Sequence, residues 1–317
     1  MYEKTPELIW WNGEIVPWQE ATVHVTSEVA MRGANVFEGV RAYWQPSNGH
    51  HAMLYWDRHL DRLRQSARLL RFPAADAESH IARMYDGAAS FVRALNQQED
   101  LYLRPTLYID EGRYGWKQGQ VRLGSYIAAY PTGPSPSETV ACIVSSWRRT
   151  PDPSISPLIK VGAAYLAFRL PRIEAQQAGA DEAILLNTND TVAETGGAAV
   201  FLVRDGVAVT PPLADGVLDS ITRRTVIHLL RSSLDIPVIE RSIPRTELYT
   251  ADEAFLCGTL DEVRSISSID DLPIGSGQRL VGQAVRNLYL AMCSGTEEPL
   301  DAQMLTPVKP AVPSGTS

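Results

Sequence analysis

The sequence lacks the features that mark several protein classes. It has only three cysteines in 317 residues, far apart and without a C-x-x-C pair, which argues against a disulfide framework and a thiolate metal site. We expect all three to be small buried hydrophobic side chains. No apolar run approaches the roughly 18 residues of a membrane span, and the opening MYEKTPELIWW shows neither a secretory signal nor a transit peptide. These absences predict a cytoplasmic protein.

Positive charge is also scarce. Lysine and arginine total 29 against 37 aspartates and glutamates, which gives a net charge of -8. Without a basic stripe there is no electrostatic footprint for nucleic acid, so an anionic ligand would need a local site. The six histidines include one adjacent pair, His50-His51, and are otherwise scattered. We therefore predict neither a nucleic-acid partner nor a metal site.

The N-terminal half alternates strand and helix patterns. Asn12-Gly13 lies between two apolar runs, which is the two-residue signal for a tight hairpin. Apolar residues recur at helical spacing from His59 to Leu70, and again after Pro73. LYLRPTLYI and SYIAAY then read as strands. We expect a small domain over residues 1–130.

Three prolines and a glycine between residues 131 and 138 exclude regular structure and predict an interdomain loop. Beyond it, EAILLN, AVFLV and VAV are separated by turn signals, a meandering pattern and not the βαβ rhythm of a doubly wound parallel sheet. We place a second, larger domain at residues 139–296. The polar, proline-rich residues 297–317 lack periodicity and predict a mobile tail. Periodicity alone thus predicts a two-domain α+β protein.

Several motifs in order carry more specific information. They are IWWNGEIVPWQEATVHV, GANVFEGVRAY, HLDRLRQSARLLRFP, YLRPTLY, KVGAAYL, ETGGAAVFLV, TPPLADGVLDSITRRTV, CGTLDEV and IDDLPIGSG. With them the chain resembles the class IV aminotransferases, which are fold type IV enzymes of pyridoxal 5'-phosphate (PLP), and most of all their branched-chain amino acid members. The resemblance implies two α/β domains, the larger with a barrel-like sheet, and transfer of an amino group to a 2-oxo acid.

In that family PLP is linked to a lysine as a Schiff base, and the matching residue is Lys160 in IKVGAAY. Desolvation and nearby positive charge favour a neutral, nucleophilic amine, and the same amine can then carry a proton. PLP is an electron sink only while its ring nitrogen is protonated, which calls for a nearby carboxylate. The match is Glu194 in VAETGG, and Tyr165 matches the tyrosine that binds the ring hydroxyl.

The resemblance also implies how the cofactor phosphate is bound. Ser220-Ile221-Thr222 opens the helix ITRRTV, where free backbone N–H groups and the helix dipole attract anions. Thr259 in CGTLDEV would supply a hydroxyl, and Arg62 in HLDRL would supply the fixed charge. Leu218 matches the leucine that packs on the cofactor ring. These residues are predicted cofactor ligands.

Substrate contacts follow from the same motifs. Phe37, Tyr102 and Arg104 match positions that shape the pocket and orient the substrate carboxylate in branched-chain enzymes, and Leu260 next to Thr259 is added to this set. Strand alternation places Tyr102 and Arg104 on one face. An ordinary solvated strand face would alternate in the same way.

The chain departs from the family at the substrate side. Arg32 stands where branched-chain enzymes usually have a tyrosine, and we hypothesise that it enters a pocket, its own or a partner's; a surface salt bridge is the alternative. The interdomain loop is shorter than usual and has no matching tyrosine. Ala198-Ala199 replaces a polar residue and asparagine, and Ser220 replaces glycine.

The resulting prediction is a PLP-dependent aminotransferase that uses a branched-chain amino acid and 2-oxoglutarate, working as a homodimer or higher oligomer. Three alternatives stay open: a D-amino acid or (R)-amine transaminase, a lyase of the aminodeoxychorismate type, and a binding protein with this fold but no turnover. The substitution at Ala198-Ala199 motivates the last, and the intact lysine and glutamate speak against it.

Overall fold

The structure is a computed structural model, and it describes residues 6–112, 117, 120–132 and 137–310. The chain divides into two compact units. The N-terminal unit contains the chain up to the 131–138 segment together with the chain from Cys293 onward, and the C-terminal unit lies between them. Residues 133–136 of the predicted interdomain loop lie outside the described residues.

The N-terminal unit is built on one antiparallel sheet. Its strands are β1 (Leu8–Trp11), β2 (Glu14–Pro17), β3 (Asn35–Phe37), β4 (Val40–Gln45), β5 (His50–Leu54), β6 (Leu101–Glu111), β7 (Arg122–Pro131) and β17 (Leu305–Pro307). They are ordered β17-β5-β4-β6-β7-β1-β2, with β3 also paired to β6. The predicted hairpin is confirmed, because β1 and β2 pair antiparallel and Asn12 and Gly13 take φ values of 51° and 114°.

Three helices accompany this sheet: α1 (Glu28–Arg32), α2 (Trp56–Leu69) and α3 (Ala74–Ala94). Helix α1 begins at Ser27, whose hydroxyl accepts a hydrogen bond from Ala30 N, and ends at Gly33 with φ 64°. That left-handed conformation is why a glycine ends the helix. The apolar stripe predicted for α2 is buried, with Leu60 and Leu63 at its centre. Amphipathic spacing therefore positions α2, which carries Arg62.

The C-terminal unit is a closed sheet with helices around it. Its strands are β8 (Thr139–Arg148), β9 (Glu182–Leu186), β10 (Val192–Thr195), β11 (Ala199–Arg204), β12 (Val207–Thr210), β13 (Val238–Glu240), β14 (Glu253–Gly258), β15 (Glu262–Ile269) and β16 (Leu272–Pro273). The order is β10-β9-β8-β15-β14-β11-β12-β13, and β10 also pairs with β11. This last pairing closes six strands into a ring. The predicted barrel-like sheet is confirmed.

Alternate residues of these strands fill the barrel. Its buried cluster includes Val140, Cys142, Ile184, Val200 and Leu256, as expected for a small barrel whose interior is packed with side chains. A 3-10 helix at Gly162–Phe168 leads into α4 (Arg169–Gln177), and α5 (Ile221–His228) and α6 (Leu280–Ser294) follow later in the chain. The three cysteines are free and buried, as predicted.

Two expectations need correction. The segment 297–317 was expected to be a mobile tail, but in its described part, residues 297–310, β17 pairs with β5, and Met304 and Val308 are buried. Residues 311–317 of the predicted tail lie outside the described residues. Burial of the apolar side chains of Met304 and Val308 favours packing of the segment, although its composition is polar and proline-rich. The C-terminal sheet is also not a pure meander, because β8 pairs in parallel with both β9 and β15.

Within the described part of the chain, no helix combines the length and the apolar character needed to cross a membrane.

Candidate active site

Lys160 and Tyr165 form a direct pair in the C-terminal unit. Lys160 Nζ donates a hydrogen bond to Tyr165 Oη over 2.7 Å. The 3-10 helix that starts at Gly162 carries Tyr165 back to the lysine. Both side chains are half-buried. The structure thus brings together an amine and a phenol that the sequence places five residues apart.

Glu194 is buried, with only 6% of its surface exposed. Its Oε1 accepts a hydrogen bond from Arg149 Nε at 2.7 Å, and its Oε2 accepts one from the backbone N–H of Leu218 at 3.1 Å. A buried carboxylate with a charged partner and a backbone donor is held in one orientation. Glu194 is therefore not a solvated residue at the end of a strand.

Arg149 connects Glu194 with the lysine pair. Its guanidinium carbon lies 5.0 Å from the centre of the Phe168 ring. Phe168 in turn packs edge-on against Tyr165, with ring centroids 5.2 Å apart. One chain of contacts therefore runs from Glu194 through Arg149 and Phe168 to Tyr165 and Lys160.

Strand register brings the Thr259 segment beside Glu194. Glu194 is paired with Ala199 across β10 and β11, and Ala199 is paired with Cys257 across β11 and β14. Gly258 packs so closely on the turn between β10 and β11 that an added Cβ would lie 2.7 Å from Gly197 O. Thr259 and Leu260, both half-buried, follow this contact directly.

Helix α5 presents free N–H groups at its start. Ser220 caps the helix, its hydroxyl accepting a hydrogen bond from Arg223 N at 3.2 Å. The N–H groups of Ile221 and Thr222 precede any intrahelical acceptor, as at every helix N-terminus. Serine at position 220 thus acts as an N-cap where the family usually has glycine, and the anion-binding character of this end is retained.

Arg62 lies in a buried network of the N-terminal unit. It donates from Nε to Glu38 Oε1 at 2.8 Å and from Nη2 to Glu38 Oε2 at 2.6 Å. His59 Nδ1 lies 2.7 Å from the same Oε2. Burial works to raise the pKa of Glu38, but the charge and hydrogen bonds of Arg62, aided by His59, lower it to about 2. The carboxylate therefore fixes the guanidinium of Arg62.

Three of the predicted substrate residues, Phe37, Tyr102 and Arg104, lie in the N-terminal unit, whereas Leu260 lies in the C-terminal unit. The guanidinium of Arg104 lies 3.7 Å from the centre of the Phe37 ring, a cation–π contact. Tyr102 lies against Gly39, where an added Cβ would be 2.6 Å from the phenol oxygen. Phe37 thus supplies the ring under Arg104, and Gly39, two residues later, leaves the space for Tyr102.

This contact makes Gly39→Ala informative. We expect the methyl group to displace the Tyr102 ring, because the added Cβ would lie 2.6 Å from the phenol oxygen and 2.8 Å from a ring carbon, and to cost about 1–3 kcal/mol of stability as overpacking. The KM for the amino donor should rise about tenfold if the ring shapes the pocket. Thermal denaturation and steady-state kinetics measure the two effects. Unchanged KM and melting temperature would contradict this placement of Tyr102.

Arg32 forms the salt bridge that was the alternative to pocket entry. Its Nη1 lies 2.9 Å from Glu28 Oε1, one helical turn earlier on α1, and its side chain is 49% exposed. Glu28 itself is buried. Entry of Arg32 into a pocket remains a prediction.

Comparison with known proteins agrees with this geometry. The model of the family described as amino-transferase class IV matches residues 35–269. A probable branched-chain-amino-acid aminotransferase of Aquifex aeolicus is 35% identical over 86% of this chain and 87% of its own. This chain belongs to the class IV aminotransferases. A branched-chain amino acid aminotransferase of Thermobaculum terrenum in its PLP form superposes with a TM-score of 0.86 at 35% identity, covering 97% of this chain and 100% of that one.

A further structure, the branched-chain aminotransferase of Thermoproteus uzoniensis with norvaline, is 36% identical with a TM-score of 0.86, covering 95% of this chain and 99% of that one. The predicted family, fold type and cofactor are confirmed: the protein is a PLP-dependent class IV aminotransferase. Its C-terminal unit offers the donor set that PLP requires, namely an amine, a phenol, a buried carboxylate and a helix N-terminus.

Motif matching identified most of these residues but missed those that hold them. Arg149 and Phe168 were not singled out, although they join Glu194 to Tyr165. Glu38 and His59 were likewise missed as partners of Arg62. Glu38 could have been found as the acidic residue inside the quoted motif NVFEG, whereas nothing in WRRT distinguishes Arg149 from Arg148.

The adjacent arginines provide a matched test. Replacing Arg149 by methionine leaves the buried Glu194 without its charged partner, and we expect PLP affinity and kcat to fall about tenfold or more. Arg148→Met removes an arginine that is 41% exposed and pairs with Asp190 at the surface, so it should change little. Cofactor titration by absorbance measures the difference. Equal behaviour of the two variants would show that Arg149 does not position Glu194.

Proposed function

We propose that this aminotransferase takes its amino group from a branched-chain L-amino acid and passes it to 2-oxoglutarate. The observation that carries the donor class is a cavity of about 340 Å³ in the N-terminal unit. Arg104 lines it together with aliphatic and aromatic side chains that include Ile9, Trp11, Val29 and Tyr130. A single cation within apolar walls suits a substrate with one carboxylate and an apolar side chain. The names of the relatives support the same donor class.

Lys160 is proposed as the residue that binds the cofactor and carries the proton. When bound, PLP supplies an electron sink that stabilises negative charge at the substrate α-carbon. Lys160 Nζ would act as the general acid/base that carries the proton from the α-carbon of the amino donor to the cofactor carbon, and in the opposite direction in the second half-reaction. The phenol of Tyr165, 2.7 Å away, orients this amine.

Glu194 and Leu218 are proposed to face the cofactor ring. Glu194, fixed by Arg149 and by Leu218 N, would hold a proton on the ring nitrogen. The Leu218 side chain would pack on the ring. The backbone bond from Leu218 to Glu194 supports placing the two beside the same ligand.

The phosphate ligands are proposed to be the N–H groups of Ile221 and Thr222, with Ser220, Thr259 and Arg62. The position of the Ile221 and Thr222 N–H groups at the N-terminus of α5 supports their role, because a helix N-terminus attracts anions. The bidentate Glu38–Arg62 pair supports Arg62 as a fixed cation and not a mobile surface one.

Substrate-side roles are proposed for Phe37, Tyr102, Arg104 and Leu260. Arg104 would bind the substrate carboxylate, and its contact with the Phe37 ring holds the guanidinium in place. We further predict a homodimer, a cytoplasmic location and a pocket role for Arg32. Of these three predictions, family membership supports only the homodimer.

A donor panel tests the function. It contains L-leucine, L-valine, L-glutamate, L-phenylalanine, D-alanine and both enantiomers of a simple aryl amine, each with 2-oxoglutarate as acceptor. We expect L-leucine and L-valine to give the highest kcat/KM. Preference for D-alanine or an (R)-amine would contradict the donor class, and pyruvate formed from 4-amino-4-deoxychorismate without an acceptor would indicate a lyase. PLP binding without reaction of any amine would indicate a binding protein.

A further inference from the structure

A second cavity in the C-terminal unit contains two buried polar atoms without partners. It has a volume of about 470 Å³, and its lining includes Arg149, Asp215, Pro157, Leu158 and Leu213. Arg149 Nη1 and Asp215 Oδ2 are both buried and have no hydrogen-bond partner among the residues that the structure describes. The two residues are 5% and 8% exposed. We name this space the Arg149–Asp215 cavity.

Backbone contacts explain why these two residues line the same cavity. Asn187 Nδ2 donates to Asp215 O at 3.1 Å and thereby fixes the loop that carries the aspartate. The following residue, Gly216, lies against Arg149, because an added Cβ would be 3.8 Å from Arg149 Cγ and 3.9 Å from Pro157 Cγ. A donor and an acceptor are thus held on neighbouring walls of one cavity.

Burial of such atoms without partners is costly. An unpaired buried donor or acceptor costs about 1–3 kcal/mol, and most such groups in native proteins have a partner. The volume exceeds the roughly 30 Å³ share of a single water molecule many times over. The cavity therefore has room for an organic ligand.

The charges define the ligand class. Arg149, which lines the cavity, is paired with Glu194 through Nε, and its buried Nη1 is a donor without a partner among the described residues. Asp215 offers a carboxylate oxygen, while Asp152 at the exposed rim is engaged by Ser156. The remaining lining combines prolines and leucines with the polar residues Thr150, Asn187, Thr188 and Asn189. A guanidinium donor, a carboxylate acceptor and a lining of apolar and uncharged polar residues match a small molecule with a carboxylate, an amine and a short carbon body.

We propose that the Arg149–Asp215 cavity is a second binding site, for a small amino-acid zwitterion whose carboxylate contacts Arg149 and whose ammonium contacts Asp215. None of the predicted cofactor or substrate residues lines this cavity. The ligand would touch Arg149, the residue that holds Glu194, and so lie one residue away from the proposed cofactor site.

Calorimetric titration of the full-length protein tests the site. The cofactor is first reduced onto the protein with borohydride, which stops turnover and keeps the result independent of the proposed donor. The probes are glycine, β-alanine and 4-aminobutyrate, which differ in the separation of their charges, with propionate and ethylamine as single-charge controls. We expect one zwitterion to saturate a single site per chain and to bind about tenfold more tightly than either control.

Variants locate the binding. Asp215→Asn should weaken the zwitterion about tenfold, whereas Asp205→Asn removes a carboxylate that is 91% exposed and should have no effect. Ala214→Trp, at an exposed position of the cavity lining, should block binding and serves if Asp215→Asn fails to fold. Absence of saturation with all three zwitterions, equal binding of ethylamine, or unchanged binding to both cavity variants would overturn the proposal.

Discussion

Replacing Lys160 by alanine is expected to lower kcat for the preferred amino donor by at least about 10⁴-fold. The variant would lose the amine that we propose binds the cofactor covalently and carries the α-proton, and general acid/base catalysis alone contributes about 10²–10⁴-fold. The phenol of Tyr165, which accepts a hydrogen bond from Lys160 Nζ over 2.7 Å, cannot replace this amine because a hydroxyl group cannot form a Schiff base with an aldehyde. Single-turnover absorbance measurements of the cofactor give the rate.

A matched control and a rescue separate chemistry from folding. Lys309→Ala removes an exposed lysine and should leave kcat unchanged. Methylamine added to Lys160→Ala should restore part of the rate, since a free amine can carry the proton once the space of the side chain is open. A Lys160→Ala enzyme within tenfold of the parent, or identical losses in both variants, would remove Lys160 from its proposed role.

Local chemistry explains which parts of the fold could be predicted from the sequence. The Asn12-Gly13 turn follows from the positive φ values that these residues tolerate. The five-residue spacing of Lys160 and Tyr165 is bridged by a single short helix, so no distant contact is needed to bring them together. When neighbouring residues alone determine a local structure, that structure can be predicted from the sequence.

The residues that were missed depend on distant contacts. Arg148 and Arg149 are adjacent, yet the first pairs with Asp190 at the surface and the second with buried Glu194. Which one turns inward depends on how β8 ends against β9, where the register shifts. Strand β17 was missed for a related reason, because its pairing with β5 joins residues about 250 positions apart in the sequence.

Loss of the buried Glu38–Arg62 pair is expected to lower the free energy of unfolding substantially. Glu38 is fully buried, and ionisation at a pKa of about 2 in place of 4.5 contributes about 3 kcal/mol to folding at neutral pH. Because the folded-state pKa is the lower one, this stabilisation is present above pH 4.5 and is lost as the pH falls towards 2. Glu38→Gln should therefore lower the free energy of unfolding by about 3 kcal/mol at pH 7 but only about 1 kcal/mol at pH 3. Urea denaturation at the two pH values measures both.

A similar pair at the surface of the same unit shows why burial decides the size of this effect. Glu78 binds Arg64 through two hydrogen bonds, as Glu38 binds Arg62, but its side chain is 54% exposed. Water solvates either partner when the pair is broken, so Glu78→Gln should cost about 0–1 kcal/mol. Loss of Glu38 also removes the two hydrogen bonds that orient Arg62, the proposed phosphate ligand, so PLP affinity should fall in Glu38→Gln but not in Glu78→Gln. Equal costs for the two variants, or a Glu38→Gln difference that does not shrink at pH 3, would contradict a buried carboxylate that fixes Arg62.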